Sequence, residues 1–491
     1  MKELQKVLRK QFDIFRDKKK EEELDEIHDW RSVEPKLVKK QCAKWRVWII
    51  DDDDVNTKWK DHDRFVIYQD RDTLLYRDTA EKVFRSKGNL DKVIDIKPLV
   101  NKDYSIARFK AYIDKWTEVK TCRILAQLYK NKMTKPKVID SDTSKSIKLL
   151  PNQLVSLIGA PGTGKSTKLA SIVEKLHKTR KIIYFAPTHS QVSNFAKKLV
   201  NLKVEFAIMS DESKVEEQFI QKHRCNMEKI RDKYKNTIPM GVQVVLSTIN
   251  KPIKFIYKAN IEVALLDEAS KISLLEAFTA LFQIDTLKLL IIGGDNKQIA
   301  CEGPRFSKMH NILEYADKRA DVRLEVLRTY RLNSFATYLT SMNFYNGKLL
   351  CSKKGTGTVF GVIIRNNHKC TSKLSCDLEA EIAVLIARTC NTPDTVVITP
   401  YQDQARLIKN HSADCETMTV DASQGKEVKN VVFSFGRNTN RGFVSKQRIN
   451  VATSRHTENL ICLAHENVIS TVPELAYIFR LLSEESKIFT F

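Results

Sequence analysis

The sequence predicts an α/β protein: two tandem, doubly wound parallel-sheet domains, with an N-terminal helical segment and a small β-barrel-like domain ahead of them. Three observations carry this. From residue 151 onward, short apolar runs alternate with segments of helical spacing, as sheets covered by helices on both faces require. The first of these runs, 154–158 (L-V-S-L-I), leads into a glycine-rich loop and then a helical segment with apolar Leu169, Ile172, Val173 and Leu176. All five tryptophans, Trp30, Trp45, Trp48, Trp59 and Trp116, lie at or before position 116, so the amino-terminal part has a composition of its own.

The elements follow in order. Residues 1–30 are highly charged, and Leu4, Val7, Leu8, Phe12 and Phe15 share one helical face. This reads as a helix packed on its own protein; a helix that binds a protein partner is the alternative. The basic run at 18–20 is followed at once by acidic 21–23, which suits a solvated face better than a nuclear signal. Residues 31–115 read as the small β-rich domain, with strand-like runs at 45–50 and 64–68 around acidic 51–54. Four consecutive acids cannot all face one ion from a strand, so 51–54 reads as a solvated turn. Residues 105–130 look helical and 131–150 read as a polar linker, making 116–150 a helix and linker. The first sheet domain spans 151–322, with strands at 154–158, 181–186, 242–248, 263–266 and 287–292. The second spans 323–491, with strands at 359–364, 396–399, 431–435 and 460–464 and a helix over 379–389.

Composition narrows the function classes. The 491 residues suffice for two to four domains. A net charge of +23 favours a polyanionic partner, nucleic acid first. The ten cysteines include no C-x-x-C pair, and the closest two are Cys370 and Cys376. They read as reduced thiols of an intracellular protein, cytoplasmic or nuclear, without structural zinc. The first ten residues are too charged for a signal peptide, and no apolar run is long enough for a bilayer, so no membrane role is expected.

The chemistry starts at 159–167. G-A-P-G-T-G-K-S-T fits G-x-x-x-x-G-K-[ST] between a strand and a helix, the context of a phosphate-binding loop. Gly159, Gly162 and Gly164 let the backbone turn and aim N–H groups at phosphates, with Thr163 and Thr167 in the same cradle and a helix N-terminus adding its dipole. Lys165 is expected to reach the β- and γ-phosphates of a nucleotide, and Ser166 to offer its hydroxyl to Mg²⁺. Asp267 and Glu268 follow the apolar run V-A-L-L, which sets both carboxylates at the same sheet edge. Asp267 suits holding Mg²⁺ through water, and Glu268 suits polarising the attacking water. The next strand ends in G-G-D-N-K-Q, where Gln298, emerging with Asp295, is placed to sense the γ-phosphate.

Further motifs follow in a fixed order: A-P-T-H-S (186–190), L-S-T (246–248), L-D-E-A-S (266–270), G-D-N-K-Q (294–298), T-Y-R-L (329–332), F-Y-N-G-K-L (344–349), I-T-P-Y-Q-D-Q (398–404), V-D-A-S-Q-G-K-E (420–427) and R-I-N-V-A-T-S-R (448–455). The ordered set covers about residues 150–470. It resembles the superfamily 1 helicases, within them the group of the nonsense-mediated-decay and nidovirus helicases, which is the 5′-to-3′ branch. The resemblance implies two RecA-like domains and a nucleic-acid-dependent NTPase that uses ATP and Mg²⁺ to move along and unwind nucleic acid. Its partners would be single strands and duplex junctions of RNA or DNA. Arg331 and Arg455 would be arginine fingers on the γ-phosphate, as suits a planar, permanently charged guanidinium. Glu427 would contact the ribose, and Gln424 and Gly425 would link the second sheet to the nucleotide. Thr188, Thr248, Thr399 and Ser423 would touch the nucleic-acid backbone, and His189 would stack on a base. The chain departs from the group in three places. No adenine-reading glutamine can be assigned, since Gln153 lies too near the loop and Gln127 is remote. V-A-T-S-R stands where V-A-L-T-R is usual. The group's zinc domain has no counterpart among these cysteines. Two rival readings remain: a motor that remodels nucleoprotein without separating strands, and an inactive nucleic-acid-binding adaptor. Intact Lys165, Asp267, Glu268, Arg331 and Arg455 argue against the adaptor.

Overall fold

The computed structural model describes residues 135–140, 149, 151–209, 241–250, 260–281, 284, 286–301, 310–353, 357–365, 375–390, 394–438 and 444–491, with Lys10, Asp13, Ile124, Gln127, Leu128 and the backbone of seven strands between 31 and 98. Those seven are β1 (Arg31–Val33), β2 (Lys36–Cys42), β3 (Trp45–Ile49), β4 (Phe65–Tyr68), β5 (Leu74–Thr79), β6 (Val83–Lys87) and β7 (Ile94–Pro98). They form two antiparallel sheets, ordered β1-β7-β4-β5 and β2-β3-β6. These strands lie in the compact unit made of residues 2–119 and 302–308. Apart from Lys10 and Asp13, the expected helix at 1–30 lies outside the described residues, as do the acidic run at 51–54 and most of 105–130.

Residues 120–301 and 309–491 form the other compact unit, which holds two parallel sheets. The strands of the first are β8 (Lys137–Asp140), β9 (Gln153–Gly159), β10 (Ile182–Ala186), β11 (Ala207–Met209), β12 (Val244–Thr248), β13 (Val263–Leu266), β14 (Leu289–Gly294) and β15 (Val322–Val326). Their order is β11-β12-β10-β13-β14-β9-β15-β8, and every pairing is parallel. The central strands I-I-Y-F-A, V-A-L-L and L-L-I-I-G-G are buried at every residue. Such runs can be buried only in a sheet covered on both faces, which is why they form parallel rather than half-exposed strands. On one face the helix Lys165–Leu176 packs Leu169, Ala170, Ile172 and Val173 into a core with Val155, Leu157, Tyr184 and Leu265.

A two-stranded ribbon of β16 (Arg328–Thr329) and β17 (Leu350–Cys351) leads to the second sheet. That sheet contains β18 (Val359–Ile364), β19 (Thr395–Thr399), β20 (Thr417–Thr419), β21 (Val428–Ser434), β22 (His456–His465) and β23 (Ile488–Thr490), ordered β20-β19-β21-β22-β18-β23 and parallel throughout. Helix Asp377–Thr389 buries Ala380, Ile382, Ala383, Val384 and Ala387 with Val362, Val397, Val432 and Leu463. Two boundaries differ from expectation. The linker read over 131–150 contains β8, an edge strand whose pattern K-V-I-D is mostly exposed. The border set at 322 falls at the first residue of β15, which completes the first sheet.

Candidate nucleotide-binding site

The site forms where the carboxyl ends of β9, β13 and β14 meet, the edge at which open parallel sheets bind ligands. The glycine loop leaves β9 with Gly162 and Gly164 at φ +68° and +82°. Gly164 caps the helix Lys165–Leu176, so the loop's N–H groups and the helix N-terminus converge on one hollow. Thr163 Oγ1 donates to the Ala160 carbonyl at 2.8 Å and braces the turn. Lys165 is buried, and its Nζ donates to the Gly159 and Ala160 carbonyls at 2.9 and 3.0 Å. Its ammonium is thus held over the loop by the weak acceptors a phosphate would replace. Thr167 lies at the exposed rim, where its Oγ1 accepts from Lys198 Nζ at 3.0 Å.

Across the hollow stands Asp267, which is buried. Its Oδ2 accepts from Ser166 Oγ at 2.6 Å and from Tyr184 Oη at 3.1 Å, and its Oδ1 accepts from the Glu268 N–H at 2.9 Å. Burial, then the neighbouring Glu268 carboxylate, raises the Asp267 pKa; the Ser166 bond and Lys165 oppose them. A divalent cation would offset both causes. Ser166 and Asp267 present the hard oxygen donors that Mg²⁺ takes, already adjacent. Glu268 has φ +48°, and its Oε2 is buried with no hydrogen-bond partner, a carboxylate oxygen left for something else to bind. In the next loop Asp295 accepts from Gln298 Nε2 at 2.9 Å and from Tyr345 Oη at 2.6 Å.

The second sheet closes the hollow into a cleft of about 1380 Å³. Its lining joins the glycine loop, Asp267, Glu268 and Gln298 to Arg331, Gly425, Glu427 and Arg455. The T-Y-R-L segment lies directly on the loop. The Tyr330 N–H donates to the Gly162 carbonyl at 2.9 Å, and Thr329 Oγ1 donates to the Pro161 carbonyl at 3.1 Å. Arg331 donates to the Ser454 carbonyl at 2.9 Å and pairs with Glu427. Arg455 is buried, and it donates to the Val451 carbonyl at 3.1 Å and to Gln298 Oε1 at 3.3 Å. Burial, then Arg331, lowers the Arg455 pKa. Two guanidiniums so placed call for an anion between the sheets. Gly425 has φ +89°, and a Cβ there would stand 3.5 Å from Gln191 Nε2 of the first sheet's helix. Gln424 is buried with neither end of its amide hydrogen-bonded.

The residues expected at nucleic acid are not brought together in the same way. Thr188 is exposed and caps the helix His189–Asn201, in a reciprocal capping box with Gln191; His189 begins that helix. Thr248, Thr399 and Ser423 are buried. Thr399 Oγ1 has no partner, and Ser423 Oγ donates to the Val420 carbonyl at 2.7 Å. These three hydroxyls do not reach the surface in this conformation. Gln127 donates to the Arg319 carbonyl and Asp321 Oδ1, both at 2.9 Å, which ties it to the first sheet's far end rather than to a base.

Comparison with known proteins agrees with this layout. Two family models, each described as an AAA domain, match residues 143–304 and 365–467, one on each parallel sheet. The DNA replication ATP-dependent helicase/nuclease DNA2 of Gallus gallus is 26% identical over 376 residues, covering 70% of this chain and 37% of that protein. The Homo sapiens protein of the same name is 24% identical over 407 residues, covering 69% and 38%. These matches support the resemblance to the superfamily 1 helicases. It spans less than two-fifths of the length of these DNA2 relatives. Among solved structures, arterivirus nonstructural protein 10 (helicase) aligns over 89% of this chain and 79% of its own, at 14% identity and a TM-score of 0.46.

Three residues near the cleft escaped the motif reading. Tyr184 lies within an apolar run that reads as pure core, yet its hydroxyl reaches Asp267. Tyr345 and Asn450 sit inside recognised motifs without a role read for them. Asn450 Nδ2 donates to Tyr345 Oη and to the Lys297 carbonyl, both at 2.8 Å, and so ties the second sheet to the loop of Asp295 and Gln298. Only the fold brings these partners together.

Proposed function

We propose that this chain is a nucleic-acid-dependent NTPase that couples ATP hydrolysis to 5′-to-3′ movement along a single strand and to duplex unwinding. The observation that carries it is the pair Arg331, just after the ribbon, and Arg455, just before β22, which line the same cleft as Lys165, Asp267 and Glu268. Lys165 would exchange its two carbonyl acceptors for β- and γ-phosphate oxygens. Ser166 and Asp267 would hold Mg²⁺, which supplies charge neutralisation at the bridging phosphates. The unpartnered Glu268 carboxylate would take a proton from the attacking water. Arg331 and Arg455 would spread their charge over the transferring phosphoryl group, and Glu427 would exchange Arg331 for the ribose. Loss of the γ-phosphate would release Gln298 and Arg455, and the sheets would part.

The helix start at exposed Thr188 and half-buried His189 is the proposed contact with the strand, and the net charge of +23 supports a polyanionic partner. The polarity rests on the likeness of the motif set to the 5′-to-3′ branch. The test measures phosphate release with matched DNA and RNA oligonucleotides, and strand displacement from duplexes with a 5′ or a 3′ tail. Stimulated release and opening of the 5′-tailed duplex are expected, and both should vanish in a folded Lys165→Ala chain. Opening of the 3′-tailed duplex alone would reverse the polarity. Stimulated hydrolysis with neither duplex opened would make the protein a remodelling motor.

A further inference from the structure

Outside the cleft, the second sheet holds a buried trio that the nucleotide chemistry does not use. Cys376 caps the helix Asp377–Thr389, Glu379 lies in that helix's first turn, and His465 ends β22. Cys376 is 1% exposed, and Glu379 and His465 are 0% exposed. Cys376 Sγ is 3.2 Å from His465 Nε2, and Glu379 Oε2 is 4.0 Å from the same nitrogen. The three donor atoms lie within 4.8 Å of one another.

The Glu379 carboxylate is used on one side only. Its Oε1 accepts from Ser434 Oγ at 2.8 Å and from the Gly436 N–H at 2.7 Å. Its Oε2, equally buried and facing the thiol and imidazole, has no hydrogen-bond partner. Leaving such an oxygen unsatisfied in a dry interior is costly. Cys376 is rigidly set, because its N–H donates to Gln404 Oε1 at 2.8 Å and its carbonyl accepts from Gln404 Nε2 at 3.2 Å.

We propose that Cys376, Glu379 and His465 bind one Zn²⁺ ion, a structural clasp between helix Asp377–Thr389 and β22. Thiolate, imidazole and carboxylate are the donor types zinc takes. With zinc–sulfur near 2.3 Å and zinc–nitrogen or –oxygen near 2.0–2.2 Å, tetrahedral ligand atoms stand roughly 3.3–3.6 Å apart. The 3.2 and 4.0 Å separations from His465 Nε2 straddle that range, and side-chain rotation within the 4.8 Å cluster would bring the three donors to one ion. A non-protein donor such as water takes the fourth position. Binding expels the thiol proton and any proton on Glu379, so the ion's two charges meet a thiolate and a carboxylate. Burial and then Cys376 push the Glu379 pKa up to about 8, and a cation bound at Oε2 would offset both. The Ser434 and Gly436 bonds to Oε1 are the outer contacts that hold a ligating carboxylate in line. The pattern C-x-x-E with a distant histidine explains why a search for paired cysteines read no zinc here.

The test uses the full chain, purified without added metal. Elemental analysis should find about one zinc per chain. After chelation, Co²⁺ titration should produce a thiolate-to-cobalt charge-transfer absorption saturating at one equivalent. Cys376→Ala should abolish that absorption. Glu379→Gln, which keeps volume and acceptor geometry, should weaken Co²⁺ binding by at least about tenfold. A wild-type chain that carries no zinc and gives no cobalt–thiolate band overturns the proposal. So does metal that persists in both Cys376→Ala and His465→Ala.

Discussion

Asp267 is the residue on which the cleft converges. A buried carboxylate needs donors, and three reach it here: Ser166 Oγ, Tyr184 Oη and the Glu268 N–H, against the burial and the Glu268 charge that raise its pKa. The Ser166 bond would give way to the cation, whereas the Tyr184 bond can persist. Tyr184 therefore acts as a positioning residue. It is stacked on Phe195 with ring centroids 3.8 Å apart, so its hydroxyl has little freedom. Tyr184→Phe keeps the stack and removes one donor. The Mg²⁺ concentration for half-maximal hydrolysis is expected to rise several-fold, while Mg²⁺-free nucleotide affinity stays put. A Mg²⁺ titration alongside fluorescent-nucleotide binding checks it, and superimposable Mg²⁺ curves would remove Tyr184 from the site. Asp267 and Glu268 were legible because a carboxylate pair directly after an apolar run can only emerge at a strand end. Tyr184 was not, because a tyrosine inside I-I-Y-F-A looks like packing and its partner lies on another strand.

At the scale of elements, the glycine loop and the T-Y-R-L segment are fitted to each other. A Cβ on Gly162 would overlap that of Arg331 and come within 2.9 Å of Thr329 Oγ1. The backbone there also has φ +68°, which costs a residue with a Cβ about 1–2 kcal/mol. Gly162→Ala should therefore misplace both the phosphate cradle and Arg331. Loss of nucleotide binding with a fall in Tm of a few degrees is expected, read by nucleotide titration and thermal melts; unchanged binding would mean the two segments part easily. The start of β22 carries a second element-scale effect. His456 is buried beside Arg331 and Lys353, and burial first, then those cations, lowers its pKa from 6.5 to about 3. Below pH 6.5 the unfolded chain takes up a proton that the folded chain refuses. Stability from this group is full above that pH and is lost as pH falls towards 3. From about pH 7.5 to about pH 5.5 the loss is about 1 kcal/mol. His456→Gln should flatten the acid side of the Tm–pH profile by that amount; parallel profiles would mean that His456 titrates normally. Strands buried on both faces announced themselves as continuous apolar runs. β15 did not, because V-R-L-E-V alternates buried and half-buried residues near the sheet edge, and β8 and β23 are short edge strands with few apolar residues to read.

At the scale of the molecule, the two parallel sheets must report to each other. The motif order made the existence of both sheets legible, but sequence spacing does not say which atoms cross between them. Several contacts do so. Arg455 reaches Gln298, Thr329 Oγ1 of the ribbon donates to the Pro161 carbonyl of the glycine loop, and Tyr345 bonds Asp295 at 2.6 Å while accepting from Asn450. The last differs in kind from the others, because neither Tyr345 nor Asn450 lines the cleft. Burial, then the Asp295 charge, raises the Tyr345 pKa well above its usual value, so the phenol stays a proton donor to Asp295 throughout the neutral range. Through Asp295 and Gln298 this pair joins the loop at residues 295–298 to the helix Lys446–Thr453, whose chain continues to Arg455. A tie of this form would transmit sheet movement without touching the nucleotide. Removing it should leave binding intact and weaken the response to the strand. Tyr345→Phe and Asn450→Ala are expected to keep nucleotide affinity within about twofold, while the ratio of oligonucleotide-stimulated to basal phosphate release falls several-fold. The double variant should lose no more than the worse single one, since both break the same tie. Undiminished stimulation in the double variant would leave the signal to Arg455–Gln298 and the bonds of Thr329 and Tyr330 to the glycine loop. Independent, additive losses would mean that Tyr345 and Asn450 act through separate routes.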